Sequence, residues 1–142
     1  MKLRVGVLIS GRGSNLQALI EACAKPDYPA EIALVISNDP EAIGLVRAQG
    51  ADLTAETIEH HLFEDRRTFE DALTISLEKA GVDLVCLAGF MRLLTASFVS
   101  HWENRVINIH PSLLPAFKGL DVHERVIASG VRFSGCTVHF VR

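Results

Sequence analysis

The sequence has no long apolar run and no extended apolar segment near its start. The longest run, Leu84 to Met91, falls far short of the roughly 20 residues that a membrane-spanning helix needs. Near the N-terminus, the apolar stretch 5–9 is too short for the core of a secretory signal peptide. We therefore expect neither membrane insertion nor a secretory signal.

Basic residues are not in excess, and cysteines are few. The 14 lysines and arginines against 17 aspartates and glutamates give a formal net charge of −3, which disfavours a nonspecific nucleic-acid-binding surface. Cys23, Cys86 and Cys136 lie far apart in apolar surroundings, a pattern that favours buried free thiols over disulfides or a zinc site. We expect a cytoplasmic protein with no nucleic-acid partner and no metal.

The length and composition are those of a soluble globular domain. Hydrophobic residues make up 49% and charged residues 22% of the 142 residues, and no repeat or low-complexity tract divides them. No apolar stripe stands apart from the core pattern, so the sequence indicates no oligomeric state. The last run, FSGCTVHFVR, has the pattern of an interrupted strand. We therefore expect 1–142 to be a single domain that is incomplete at its C-terminal end.

Short apolar runs alternate with amphipathic helical patterns. Strands are predicted over 4–9, 31–36, 51–57, 82–88, 105–109 and 135–141. Two helices are predicted from apolar stripes, one with Leu16, Leu19, Ile20 and Cys23 and the other with Phe69, Leu73 and Leu77. Two more are predicted over 40–49, where Asp39 would be the N-cap, and over 123–129. This alternation predicts an α/β fold with a doubly wound, mostly parallel sheet. Ligands of such sheets bind at the carboxyl ends of the strands.

A loop of small residues, 10–15 (SGRGSN), joins the first predicted strand to the first helix. Its glycines allow the backbone to approach an anion, and the helix start supplies unpaired N–H groups and a positive dipole end. Ser14 and Asn15 add side-chain donors. The alternative is a tight turn capped by Ser or Asn. A dinucleotide site is disfavoured because Leu16 occupies the position of the third glycine in G-x-G-x-x-G.

Two polar residues interrupt the predicted strand that ends in VINIHP. Asn108 and His110 share one face of that strand, and Pro111 ends it. An amide beside an imidazole can stabilise an oxyanion and supply a proton. The alternative is a hydrogen-bonded buried asparagine with a capping histidine. Since G-x-S-x-G is absent, the pattern favours direct attack by an external nucleophile.

Three segments, LISGRGSNLQALI, LAGFMRLL and INIHPSLLPAFKGL, resemble the folate-dependent formyltransferases in order and spacing, over essentially the whole chain. The GSNL loop is similar to that of the phosphoribosylglycinamide formyltransferase branch. The resemblance implies a Rossmann-like formyltransferase fold. It also implies a transferase of purine biosynthesis, which moves the formyl group of 10-formyltetrahydrofolate to the amine of 5'-phosphoribosylglycinamide.

The resemblance also implies a role for each matching residue. Gly13, Ser14 and Asn15 would hold the substrate phosphate. The folate cosubstrate would be bound by Arg66, Met91, Arg92, Leu93, Leu94 and Asn108. Asn108 and His110 would polarise the formyl oxygen, and His110 would protonate the leaving nitrogen. Without the resemblance, Arg66 beside Asp65 is typical of a solvated helix start, and we interpret His123 and His139 as structural or supporting residues.

The end of the chain departs from the family pattern. There, a Gly-x-Thr-Val-x-Phe-Val run leads to an aspartate that pairs with the catalytic histidine and favours its charged form. The run is present at 135–141, but the aspartate would lie four positions beyond Arg142. We therefore expect the 142-residue chain to be inactive by itself. The alternatives to a transferase are a formyltetrahydrofolate deformylase and a non-catalytic nucleotide- or folate-binding module.

Overall fold

A computed structural model of the protein describes residues 1–110, 118, 121–129 and 137–142, with only the backbone for His110 and Val126. Its strands are β1 (Leu3–Ile9), β2 (Ala30–Ser37), β3 (Ala55–Thr57), β4 (Leu84–Leu87), β5 (Val106–His110) and β6 (Thr137–Phe140). Its α-helices are α1 (Ser14–Cys23), α2 (Ile43–Gly50), α3 (Arg66–Lys79), α4 (Ala96–His101) and α5 (Val122–Ser129). None of these helices is long and apolar enough to cross a membrane.

The strands form one sheet in the order β3-β2-β1-β4-β5-β6. All neighbours are parallel except β5 and β6, which are antiparallel. The chain winds outward from β1 to β3 and then returns to β4 on the other side of β1. The predicted doubly wound, mostly parallel sheet is confirmed, and the winding direction changes between β1 and β4, which is where such folds bind ligands.

Helices cover both faces of the sheet. One buried cluster packs the sheet against α3 and α4 and includes Leu8, Leu73 and Trp102. The other packs it against α1 and α2 and includes Val7, Leu16 and Ala48. Successive residues of β1 belong to opposite clusters, as the two-residue period of a strand requires. β1 is therefore buried on both faces and supports the loops at its carboxyl end.

The cysteine prediction is confirmed for the two cysteines that the structure describes. Cys86 is buried and Cys23 half-buried, and both are free thiols. Burial, and to a smaller extent the charge of Cys23, raises the pKa of Cys86 to about 11. The prediction for Cys136 lies outside the described residues.

Several predicted bounds were wrong. The second helix begins at Ile43 rather than at residue 40, because the Asp39 carboxylate accepts the N–H of Glu41 in a local turn, 2.9 Å away, and caps no helix. The third strand starts at Ala55 rather than at residue 51, since the chain first turns at Asp52, which has a φ of 59°. A 3-10 helix, His60–Leu62, and the helix α4 lie in stretches for which no helix was predicted. Glycine is typical of a helix end, so the sequence also predicts that Gly130 ends the last helix, but this residue lies outside the described ones.

Candidate functional site

Three of the predicted binding segments lie side by side at the carboxyl ends of the central strands of the sheet. In the parallel register, Leu8 of β1 is level with Leu87 of β4, and Leu87 is level with Asn108 of β5. Neighbouring strands lie roughly 4.8 Å apart, so about 10 Å separates β1 from β5 along this row. The loop after β1, the loop after β4 and the end of β5 therefore adjoin one another.

The first segment, the glycine loop (residues 10–13), leads directly into α1. Gly13 is the N-cap of α1 and has a φ of 74°, a left-handed conformation that favours glycine. No side chain caps this helix, and its first backbone bond runs from the N–H of Gln17 to the carbonyl of Gly13. The alternative of a Ser- or Asn-capped turn is therefore wrong. The N–H groups of the first turn have no intrahelical partner.

The start of α2 supports the glycine loop from behind. The N–H of Gly44 donates to the carbonyl of Gly11 at 3.0 Å, and Nε of Arg47 donates to the carbonyl of Arg12 at 2.8 Å. A Cβ atom at Gly13 would lie 2.7 Å from the Cα of Gly44. These contacts direct the carbonyls of Gly11 and Arg12 toward α2. Because they point away from the start of α1, they do not repel an anion there.

A partly buried hydrogen-bond network joins the glycine loop to the second segment, the β4–α4 loop (residues 88–95). The hydroxyl of Ser10 donates to Oδ1 of Asn38 at 2.6 Å and accepts the N–H of Met91 at 2.8 Å. Nδ2 of Asn38 in turn lies 3.2 Å from Nδ1 of His60. The sequence did not predict this network, because Asn38 and His60 are distant from the glycine loop and match no local motif.

The β4–α4 loop presents two apolar side chains to solvent. Met91 is 60% exposed and Leu93 78% exposed, whereas Leu94 is partly buried against the α3–α4 cluster. Arg92 is half-buried. The loop therefore offers both apolar contacts and backbone polar groups at the edge of the sheet.

Arg66 is the first residue of α3 and is exposed. Asp65 caps this helix: its carboxylate accepts the N–H of Thr68 at 2.8 Å and also the Thr68 hydroxyl. These two bonds, the backbone bond first, hold the pKa of Asp65 below its usual range.

The third segment is the end of β5. Asn108 is half-buried, and its Nδ2 lies 3.5 Å from Nε2 of His139 on β6. Nδ1 of His139 lies 3.1 Å from the carbonyl of Phe140 and must donate to it, so Nε2 accepts from Asn108. His139 therefore supports the Asn108 amide. His110 is the last residue of β5, paired with Thr137, and the prediction for its imidazole lies outside the described side chains.

Residues 3–142 match the family model described as formyl transferase. The chain belongs to the formyl transferase family. It is 42% identical over 139 residues to phosphoribosylglycinamide formyltransferase of Escherichia coli, covering 98% of this chain and 66% of that protein. It is also 50% identical over 140 residues to the human trifunctional purine biosynthetic protein adenosine-3, covering 99% of this chain and 14% of that protein.

Solved structures of the formyl transferase family share this fold. Glycinamide ribonucleotide transformylase 1 from Symbiobacterium toebii is 46% identical and superposes with a TM-score of 0.95, over 99% of this chain and 66% of that one. The phosphoribosylglycinamide formyltransferase of Coxiella burnetii is 48% identical, with a TM-score of 0.93, over 99% of this chain and 66% of that one. This chain thus spans less than two thirds of the length of these relatives.

In this member of the family, the structure brings most of the predicted binding residues to the carboxyl ends of the central strands. Gly13, Ser14 and Asn15 lie at the start of α1, residues 91–94 lie beside them through the Ser10 bond, and Asn108 lies two strands away. Within the described ranges, no group of three or more His, Cys, Asp or Glu side chains is arranged to hold a metal ion.

We predict that His60 titrates below its ordinary pKa of 6.5. Burial lowers its pKa most, followed by the charge of Arg92 and that of His61. Above pH 6.5 the imidazole is neutral, and its Nδ1 accepts the hydrogen bond from Asn38. A protonated Nδ1 cannot accept a bond. The contribution of this bond to stability is therefore lost as the pH falls through the lowered pKa. Arg92→Gln is expected to raise the pKa of His60 part of the way to 6.5, as measured by NMR titration of the imidazole.

Arg67→Gln is the matched control for this titration. Arg67 is an exposed arginine of α3 and does not contribute to the shift at His60, so its replacement should leave the pKa unchanged. An unchanged pKa in Arg92→Gln would contradict the placement of the Arg92 guanidinium near this network.

Proposed function

We propose that the protein transfers the formyl group of 10-formyltetrahydrofolate to the amine of 5'-phosphoribosylglycinamide. The observation that carries this proposal is the row Leu8, Leu87, Asn108, which aligns an anion-binding loop, an apolar loop and a polar strand end along one edge. The names of relatives that match almost the whole chain support the same reaction.

The ribonucleotide phosphate would bind at the start of α1. The N–H groups of Ser14 and Asn15 lie in the uncapped first turn, where the helix dipole favours an anion. The Gly13 Cα can approach the phosphate because it has no side chain. Since the carbonyls of Gly11 and Arg12 are bonded to α2, neither of them opposes a phosphate at this position.

The folate cosubstrate would bind along the β4–α4 loop. The flat pterin ring has polar edges that backbone groups of residues 91–94 can bind and faces that suit the exposed side chains of Met91 and Leu93. The exposed guanidinium of Arg66 is suited to a carboxylate of the glutamate tail. Asn108 would contact the reactive end of the cosubstrate.

The chemical step would join the two bound molecules directly. The substrate amine attacks the formyl carbon, and the carbonyl electron pair moves to oxygen. One N–H of Asn108 is held by His139, which leaves the second N–H for this oxyanion. His110 would donate a proton to N10, the carbon–N10 bond would break, and tetrahydrofolate would leave while the former amine loses a proton.

The reaction is tested by assaying the full-length gene product for tetrahydrofolate. The transferase predicts that tetrahydrofolate forms only when 5'-phosphoribosylglycinamide is present, with one formylated ribonucleotide for each tetrahydrofolate. Formation without the ribonucleotide would identify a deformylase instead. Binding of both ligands without turnover would identify a binding module.

The free thiols of Cys23 and Cys86 support a reducing compartment such as the cytoplasm.

A further inference from the structure

Glu70 is a charged residue with a side chain buried inside the fold. It lies on α3, one helical turn after Arg66, and only 4% of its surface is exposed. Both of its carboxylate oxygens accept hydrogen bonds from Thr95: one from the backbone N–H at 2.8 Å and the other from the hydroxyl. A buried carboxylate is costly unless such bonds compensate for the lost water, so this pair constrains the local arrangement strongly.

Because Thr95 belongs to the β4–α4 loop, its bonds to Glu70 also constrain that loop. It is the last residue of the loop and the N-cap of α4, where its hydroxyl oxygen accepts the N–H of Phe98 at 3.4 Å. The earlier part of the loop is fixed by the bond from the Met91 N–H to Ser10. The segment 92–94 therefore lies between one anchor on the glycine loop, at Ser10, and another on α3, at Glu70.

We propose that Glu70 is a positioning residue for the folate cosubstrate. By binding Thr95, it sets the β4–α4 loop against α3, the helix whose first residue is Arg66. The distance between residues 91–94 and Arg66 is then fixed. A folate molecule needs a fixed distance here, because its pterin ring would bind the loop while its glutamate tail binds Arg66. This inference rests on the proposed function, because it assigns a purpose to a bond between two segments proposed to bind folate.

The test compares ligand affinities in the full-length gene product and four variants. Glu70→Gln loses one acceptor, so either the Thr95 N–H or its hydroxyl is left without its carboxylate partner. We expect the Kd of 5-formyltetrahydrofolate, measured by calorimetry, to rise about tenfold, as for loss of a charged hydrogen bond. The Kd of 5'-phosphoribosylglycinamide should stay within a factor of about two, because its site lies on α1.

Asp71→Asn and Thr95→Ser are the matched controls. Asp71→Asn removes the same charge from the next, exposed position of α3, and Thr95→Ser keeps both groups that donate to Glu70. Both are expected to bind the folate like the wild type. Thr95→Val, which removes only the hydroxyl, should weaken folate binding in the same direction as Glu70→Gln and replaces that variant if it fails to fold.

The outcomes separate this inference from the proposed function. If the wild type binds no folate, the proposed function fails. If the wild type binds folate and Glu70→Gln and Thr95→Val bind it equally well, only the positioning role fails. Equal weakening of folate and ribonucleotide binding would show a general structural role and would also overturn the inference.

Discussion

Replacing His110 with alanine is expected to lower kcat for formyl transfer by roughly 10² to 10⁴-fold, the usual contribution of a positioned general acid. The imidazole is the proposed proton source for N10, and without it the amine of tetrahydrofolate is a poor leaving group. Both Kd values should change little, because the phosphate and folate segments belong to other loops. The measurement is single-turnover formation of tetrahydrofolate with both substrates saturating.

His123→Ala is the control for this variant. His123 is an exposed histidine on α5, outside the three segments of the candidate site, and its loss should leave kcat unchanged. Turnover by His110→Ala at the wild-type rate would remove His110 from the mechanism. Asn108 would then be the remaining polar group of β5 available to act on the formyl oxygen.

The parts of the fold that the sequence predicted well are those where burial alone determines the pattern. β1 and β4 are almost continuous apolar runs because helices cover both faces of the sheet. The stripe of Phe69, Leu73 and Leu77 lies on the buried side of α3, as its spacing indicates. Local patterns suffice for such elements, since each residue responds to the same core.

The errors arose where a distant contact outweighed a local signal. Asp39 and Pro40 match the rule for a helix start, yet α2 starts later, with Gly44 inside its first turn and packed against Gly13. α4 is only six residues long and is capped by Thr95, which is held by Glu70, 25 positions earlier. Neither contact leaves a trace in the neighbouring sequence.

The candidate site likewise has parts that local patterns predict and parts that depend on distant contacts. The glycine loop and the Asn108 strand end were predictable, because small residues before a helix and polar residues in an apolar strand stand out locally. The support for Asn108 was not predictable, since His139 reaches it only through the antiparallel pairing of β5 with β6. A strand pattern identifies β6 without giving its direction or its partner.

Gly13→Ala is expected to have the second large effect, on both stability and ribonucleotide binding. The left-handed backbone at φ 74° costs a residue with a Cβ about 1–2 kcal/mol. The new Cβ would also lie 2.7 Å from the backbone of Gly44, so the start of α1 must move away from α2. Displacing the phosphate donors should raise the Kd of 5'-phosphoribosylglycinamide about 100-fold, as for the loss of about 2.8 kcal/mol of hydrogen bonding to a charged group.

Gly50→Ala separates this local effect from a general effect of adding a methyl group. Gly50 ends α2 far from the glycine loop, and a Cβ there meets no atom within 4 Å. This variant should keep the ribonucleotide affinity and unfold at the same temperature or slightly above, since alanine favours a helix. If Gly13→Ala bound the ribonucleotide as tightly as Gly50→Ala does, the phosphate could not depend on the backbone at the start of α1. The donors would then have to be sought among the exposed side chains around the loop.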